Sequence, residues 1–268
     1  MELKNDEEDS RGAKVAKTSL CPASRQYEFD AMIFDLDGVI TSTAKLHFDG
    51  WKLTFDKMMA ALTESHLLLH DAPKEFSEKH YLDYVDGKPR YDGVRSFIDA
   101  LGDGENWLGV KIADQVLGDS AGSTDHLTFI QFIASAVQAD AHLLFNPITS
   151  ENLEKMIAQW SHDPEKLGEL LDQCAINPNH LELLLKTLAK KPVVLGDIIV
   201  RKVGDIKDKW INDKLNDDDV EIVKFQHTLD MIYAAKEKGI NIGIASSSKN
   251  AKKILKKARL MELFDEHL

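Results

Sequence analysis

The chain has 268 residues, 43% of them hydrophobic, and a formal charge of −12. That length can bury one sizeable core plus a smaller domain, and acidity without a dense basic stripe excludes a nucleic-acid binder, whose phosphate contacts need clustered Lys and Arg. No uninterrupted apolar stretch reaches the roughly 18 residues of a membrane span, and Cys21 and Cys174 stand far apart without metal-like spacing, so reduced thiols are the simpler reading.

Residues 1–25 are charged and polar and lack the apolar centre of a secretion signal. They read as a disordered tail of a cytoplasmic protein. The run Ala31 to Phe34 has the short, uncharged character of a strand buried on both faces, and Gly38 permits a sharp turn just after it. Alternation sends Asp35 and Asp37 to the same side, where two like charges would crowd unless a cation or a proton lay between them. A Mg²⁺ ion held by Asp35 and Asp37 satisfies both, and can also hold a substrate phosphate. One Asp is then free to attack phosphorus and the other to move a proton. The plainer reading of D-x-D-G is a solvated turn.

Beyond this loop, Leu46, Trp51, Leu53 and Phe55 give the segment from Thr43 to Leu62 a helical spacing. Asp86-Gly87 and Lys88-Pro89 form a turn that would present Arg90 outward, where a guanidinium fork suits phosphate or sugar oxygens. Lys88 and Arg90 are therefore candidates for substrate selection, with an exposed polar turn as the equal alternative. The stretch from about 103 to 191 holds further apolar-periodic segments, at 127–137, Glu151 to Trp160, Pro164 to Gln173 and His180 to Leu188, which read as helices. His126, His142, His162 and His180 lack metal-ligand spacing. Asp217 to Asp219 read as a solvated loop favouring the amino terminus of the next helix, which runs through Leu229, Ile232 and Ala235. A strand follows from Ile240 to Ala245, and then Ser246 to Asn250 form a polar loop opening a helix, a place that favours bound phosphate. Ser248 could instead simply cap that helix.

Three of these stretches carry a family likeness. The run from Asp35 to Trp51 resembles the first motif of the haloacid dehalogenase superfamily, especially its β-phosphoglucomutase-like branch. Gly239 to Asn250 resembles the second motif, and Tyr84 to Phe97 the cap signature of that branch. The resemblance implies that Asp35 is a nucleophile forming an aspartyl-phosphate and that Asp37 is the general acid/base. It places Thr43 and His47 where cap closure is linked to orientation of the acid/base, Ser246 as the phosphate-binding hydroxyl, and Lys249 and Asn250 as further ligand contacts. The fold it implies is α/β: a Rossmann-like core from residues 26–43 and 223–268, with a helical cap at 44–222 enlarged by the insertion at about 103–191.

One departure stands out. The family follows its second motif with a supporting lysine and a pair of metal-binding acids, and the core is incomplete at the carboxyl end without them. Lys252, Lys253, Lys256 and Lys257 lie too early to serve. The chain is expected to be a truncated piece, to borrow strands from another chain, or to be repurposed for binding. The implied activity is Mg²⁺-dependent phosphoryl transfer, as a phosphatase or phosphomutase, on a sugar phosphate or other small phosphorylated metabolite. The alternative is a catalytically deficient binding or regulatory module that uses the 103–191 insertion to contact a protein partner.

Overall fold

Strand β1 (Ala31–Asp35) pairs in parallel with β2 (Asn241–Ala245), and the register sets Ala31 opposite Asn241 and Asp35 opposite Ala245. The computed structural model describes residues 30–68, 72–102, 104–118, 125–135 and 149–264. The tail 1–25 with Cys21, and His142, lie outside the described residues, as does the side chain of His126.

Parallel strands need a long crossover, and its regular elements among the described residues are all helices: α1 (Ala44–Glu64), α2 (Glu78–Tyr84), α3 (Arg90–Ala100), α4 (Trp107–Leu117), α5 (Asp125–Ser135), α6 (Ser150–Gln159), α7 (Pro164–Ala175), α8 (Pro178–Leu188), α9 (Pro192–Asn216) and α10 (Gln226–Glu237). After β2 come α11 (Ala251–Lys257) and a 3₁₀ turn at Met261–Leu263. The described residues are thus mostly helical, with one small parallel sheet. None of their helices is long and apolar enough to cross a membrane.

Three prolines start helices. Pro164, Pro178 and Pro192 each stand in the first turn, where the missing N–H costs nothing, and Asp163 and Asn177 cap α7 and α8 with their side chains. The 25-residue α9 is hidden in sequence by the mixed charges of 201–214. Its buried stripe is nevertheless regular: Leu195, Ile199, Val203, Ile211 and Leu215 recur at multiples of four.

Two apolar clusters form. One gathers Trp51, Phe55, Phe76 and Phe97 with the buried faces of α3 to α8 and the first half of α9. Phe55 stands 4.5 Å from Phe97 and 4.8 Å from Phe76, centroid to centroid, in tilted pairs of the kind that add about 0.5–1.5 kcal/mol beyond burial. The second cluster surrounds the sheet with Phe34, Leu36, Ile40, Ile232, Ile254 and Leu255, together with Ile211 and Leu215 from the far end of α9. Helix α9 therefore belongs to both clusters, and α1 runs beside it. Gly50 of α1 allows the close approach, since a Cβ there would lie 2.9 Å from the Trp210 ring.

One expectation fails in the sheet. Strand β1 is not buried on both faces: Phe34 is 8% exposed, but Ile33 is 74% exposed. With two strands in the described sheet, one face finds no cover. The acids Asp217 to Asp219 also miss the role foreseen for them, because α10 begins at Gln226 and carries no acid in its first turn. Asp217 instead accepts the Asp219 amide at 3.1 Å in a local turn.

Inside the helical cluster, Lys202 Nζ of α9 lies 2.6 Å from both carboxylate oxygens of Asp172 on α7, and both side chains are buried. Burial pushes the Asp172 carboxyl upward, and the ammonium opposes that. Removing one partner strands a buried charge. Lys202→Met should lower unfolding free energy by about 3 kcal/mol or more in urea titrations, and adding Asp172→Leu should recover most of the loss.

Candidate active site

The loop after β1 is built around buried Leu36 and Ile40, both fully inaccessible. Their amides and carbonyls close a tight turn: Ile40 and Thr41 N–H donate to the Leu36 carbonyl at 3.1 and 3.0 Å, and Gly38 N–H donates to the Thr41 carbonyl at 2.7 Å. Gly38 has φ +85°, a left-handed conformation that suits glycine. The loop is pinned to the segment before α10 by Ser42 N–H to the Val223 carbonyl at 2.8 Å and Phe225 N–H to the Ile40 carbonyl at 3.0 Å. Burying Leu36 leaves its two neighbours outside. Asp35 and Asp37 both line a cavity of about 360 Å³.

Asp35 is exposed, and the only hydrogen bond to its side chain among the described residues comes from the Leu36 amide to Oδ1, at 2.7 Å. Asp37 is closely held. Thr43 Oγ1, itself 2.9 Å from Thr41 Oγ1, donates to Asp37 Oδ1, and Ser246 Oγ lies 3.5 Å from Oδ2. His47 Nε2 is 3.4 Å from Asp37 Oδ1, an electrostatic contact longer than a good hydrogen bond, consistent with Nε2 having no hydrogen-bond partner. On the far side of the ring, Lys207 Nζ sits 2.9 Å from His47 Nδ1. A charged lysine can only donate, so Nδ1 accepts and the imidazole carries its proton on Nε2, facing Asp37. Burial alone would raise the Asp37 pKa. His47, Thr43 and the Lys207 charge together hold it below the usual value, so its resting form is the anion.

Lys207 is buried on α9, over the Trp51 ring at 5.1 Å. Desolvation, and then the nearby Arg90 charge, pull its pKa down from 10.5 to about 8 against the opposing pull of Asp208 and Asp37.

The opposite wall comes from the loop after β2. Register places Ser246 directly beyond Ala245, beside the Asp35–Asp37 loop. Ser246 Oγ accepts the Ser248 amide at 3.1 Å, and Ser248 Oγ accepts the Asn250 amide at 3.2 Å. Ser247, Ser248, Lys249 and Asn250 line the cavity, while Ser246 itself stands behind, against Asp37. The roof is the 86–92 turn. Arg90 does not point outward as the turn suggests: its side chain is 14% exposed and Nη2 donates to Asp208 Oδ1 of α9 at 2.6 Å. The acid on α9 draws it in. Asn250 Nδ2 donates to the same oxygen at 3.0 Å. The Lys88 ammonium donates to Ser96 Oγ at 2.7 Å, and the Lys249 ammonium lies 5.7 Å from the Tyr91 ring centroid.

All nine candidate residues thus converge: Asp35, Asp37, His47, Lys88, Arg90, Lys249 and Asn250 line the cavity, with Thr43 and Ser246 bonded to Asp37. Lys207 and Asp208 complete the site, and no sequence motif points to them. The available signal is positional: Lys207 interrupts the apolar stripe Ile199, Val203, Ile211 at the place where a fourth apolar residue belongs.

As for a metal, two carboxylates on one side of a strand end are hard oxygen donors that suit Mg²⁺, which keeps several waters and shares a substrate phosphate. Among the described residues no third His, Cys, Asp or Glu joins them into a larger cluster.

A segment of 71 residues is 45% identical to proteins named β-phosphoglucomutase from Mycobacterium bovis and Mycobacterium tuberculosis. It covers 25% of this chain and 25% of each relative, so the likeness spans a quarter of their length. No family model matches the chain.

The buried lysine makes a pH prediction. Folding lowers its pKa from 10.5 to about 8, so the unfolded chain binds the extra proton between those values and stability rises with pH there. Relative to Lys207→Met, wild-type unfolding free energy should climb by roughly 3 kcal/mol between about pH 8 and 10.5, at about 1.4 kcal/mol per pH unit. Parallel urea-midpoint profiles for the two proteins would contradict it.

Proposed function

We propose that this chain carries the site of a phosphoryl-transfer enzyme that acts on a small phosphomonoester through an aspartyl-phosphate at Asp35. The observation that carries this reading is the contrast between two acids on one loop. Asp35 is exposed and nearly free of partners, whereas Asp37 is fixed by Thr43, Ser246 and the Lys207–His47 pair. One is placed to attack and the other to manage a proton. The likeness to β-phosphoglucomutase over a quarter of the chain supports the same reaction class.

In the first half-reaction an Asp35 oxygen attacks phosphorus in line, and the bond from phosphorus to the ester oxygen breaks. The leaving oxygen takes a proton from Asp37. Asp37 rests as an anion, so the proton must be gained as the substrate's negative charge arrives beside it, which pushes a neighbouring carboxyl upward. In the second half, Asp37, again an anion, removes a proton from water, or from an acceptor hydroxyl in a mutase. That oxygen attacks phosphorus, and the Asp35 carboxylate leaves. Ser247, Ser248 and Lys249, gathered in the loop before α11, would hold the transferred oxygens, with Ser246 steadying the loop and Asp37. Mg²⁺ held by Asp35 and Asp37 would neutralise charge on the phosphoryl oxygens.

A second reading is a binding module without turnover. One assay separates the two. With Mg²⁺ and an aryl phosphate, the wild-type chain should release phenol, Asp35→Asn should reduce this to background, and Asp37→Asn should slow it roughly a hundred- to ten-thousandfold. Phosphate binding without turnover in the wild type would favour the binding module, and full activity in Asp35→Asn would remove the covalent route.

A further inference from the structure

Thr41 is fully buried and lines no part of the cavity, yet it carries a hydroxyl. Its backbone has little freedom. The Thr41 N–H donates to the Leu36 carbonyl at 3.0 Å, its carbonyl accepts the Gly38 amide at 2.7 Å, and it forms backbone bridges with Asp37 on one side and Lys224 on the other. A β-branched side chain on so fixed a backbone is stiff about its first torsion, so the hydroxyl oxygen stands at one place. That place gives it two neighbours: the Leu36 carbonyl oxygen at 3.2 Å and Thr43 Oγ1 at 2.9 Å.

One hydroxyl proton serves one of them. The Leu36 carbonyl already accepts the Ile40 and Thr41 amides at 3.1 and 3.0 Å, one for each lone pair, and 3.2 Å is long for an O–H···O bond. Thr43 Oγ1 is nearer, and it is not the donor of this pair, because its own proton is directed to Asp37 Oδ1. Thr41 therefore donates to Thr43, and Thr43 donates to Asp37. The two hydroxyls form a chain that points one way, each bond polarising the next. Packing alone would be served by valine, which fills the same space without burying a hydroxyl and leaves the Leu36 carbonyl both of its amide donors. The Thr41 hydroxyl is thus accounted for by Thr43 and by what Thr43 holds.

At the end of the chain, Asp37 is gripped by one oxygen. Oδ1 receives the Thr43 hydroxyl and faces His47 Nε2 at 3.4 Å, with Lys207 behind the ring. Oδ2 meets, among the described residues, the Ser246 hydroxyl at 3.5 Å, beyond a good hydrogen bond. Oδ2 is the oxygen left to carry a proton.

We propose that Thr41 is a positioning residue for the acid/base: by donating to Thr43 Oγ1 it fixes the direction of the Thr43 hydroxyl, holds Asp37 by Oδ1, and reserves Oδ2 for the transferred proton. The proposal rests on the phosphoryl-transfer reading and deepens it, and Thr41 itself touches neither substrate nor phosphorus. In the first half-reaction the Oδ2–H bond breaks as the ester oxygen takes the proton. In the second, Oδ2 regains a proton from the attacking water or hydroxyl.

The test is leaving-group dependence. Thr41→Val keeps the shape and removes the donor. With Mg²⁺, its loss of kcat relative to wild type should be about fivefold greater for 4-methoxyphenyl phosphate, whose leaving oxygen needs the proton, than for 4-nitrophenyl phosphate, which departs readily as the anion, with KM moved less than about twofold for either ester. Thr41→Ser, which retains the hydroxyl, should bring the ratio back to that of the wild type. A crystal structure of Thr41→Val reads the positioning without turnover, and should show the Asp37–Thr43 bond broken or the Asp37 carboxylate rotated. A purely structural role would slow both esters alike; equal losses, or an Asp37–Thr43 pair that has not moved, overturn the proposal. Should Thr41→Val fail to fold, Thr41→Ala carries the same expectation. A wild-type chain that turns over neither ester, with Asp37 displaced in the variant's crystal structure, would sink the phosphoryl-transfer reading and leave the positioning role standing. Equal losses in an active enzyme would do the reverse.

Discussion

The register between β1 and β2 governs how the acid loop and the serine loop of the cavity meet. With Asp35 opposite Ala245, Ser246 falls beside Asp37, and the serine loop faces the acid loop. A slip of one residue would turn Asp35 and Asp37 toward the apolar cluster and Leu36 toward water. The slip is opposed from within the loop, because Leu36 and Ile40 are fully buried and their backbone groups are bonded to one another and to the segment before α10. Two five-residue strands with one uncovered face are a weak unit by themselves. Their alignment is set by what packs around them.

Helix α9 is the second element of that control. It starts in the helical cluster and ends in the cluster around the sheet, and where it passes from one to the other it brings Lys207 to the cavity and sets Asp205 and Asp208 against Arg90. A buried lysine is costly unless its charge is used. Here the ammonium orients His47, and through the ring its field reaches Asp37, which stays ionised despite burial. The next residue, Asp208, holds both Arg90 and Asn250, so adjacent positions of one helix brace the acid loop, the roof and the serine-loop wall.

Much of this was legible in the sequence and some was not, for physical reasons. The strand-end acids, the glycine turn and the serine loop depend on local alternation and on backbone conformations that few residues adopt, so the residues themselves announce them. The helices at α1, α5, α6, α7 and α8 follow apolar spacing, and a proline with a capping side chain marks where α7 and α8 begin. Helix α9 escaped because Lys and Asp crowd its exposed faces and one lysine interrupts its apolar stripe. The direction of Arg90 was misread since a turn sequence says nothing about an acid more than a hundred residues away. Burial of β1 on both faces was likewise an inference from the strand's own apolarity, whereas cover is supplied by distant elements.

The central claim is that the Asp35 carboxylate accepts a phosphoryl group while Asp37 handles the proton. Exposing Asp37→Asn protein to a small acyl phosphate with Mg²⁺, quenching in acid and mapping the peptides by mass spectrometry addresses it most directly. An acyl leaving group needs little acid assistance, and the variant should be slow to hydrolyse what it captures. The account predicts one phosphoryl group on the peptide containing Asp35, lost when Asp35 is also changed to Asn. A phosphoryl group on any other residue, or none at all in a protein that still turns over aryl phosphate, would contradict it.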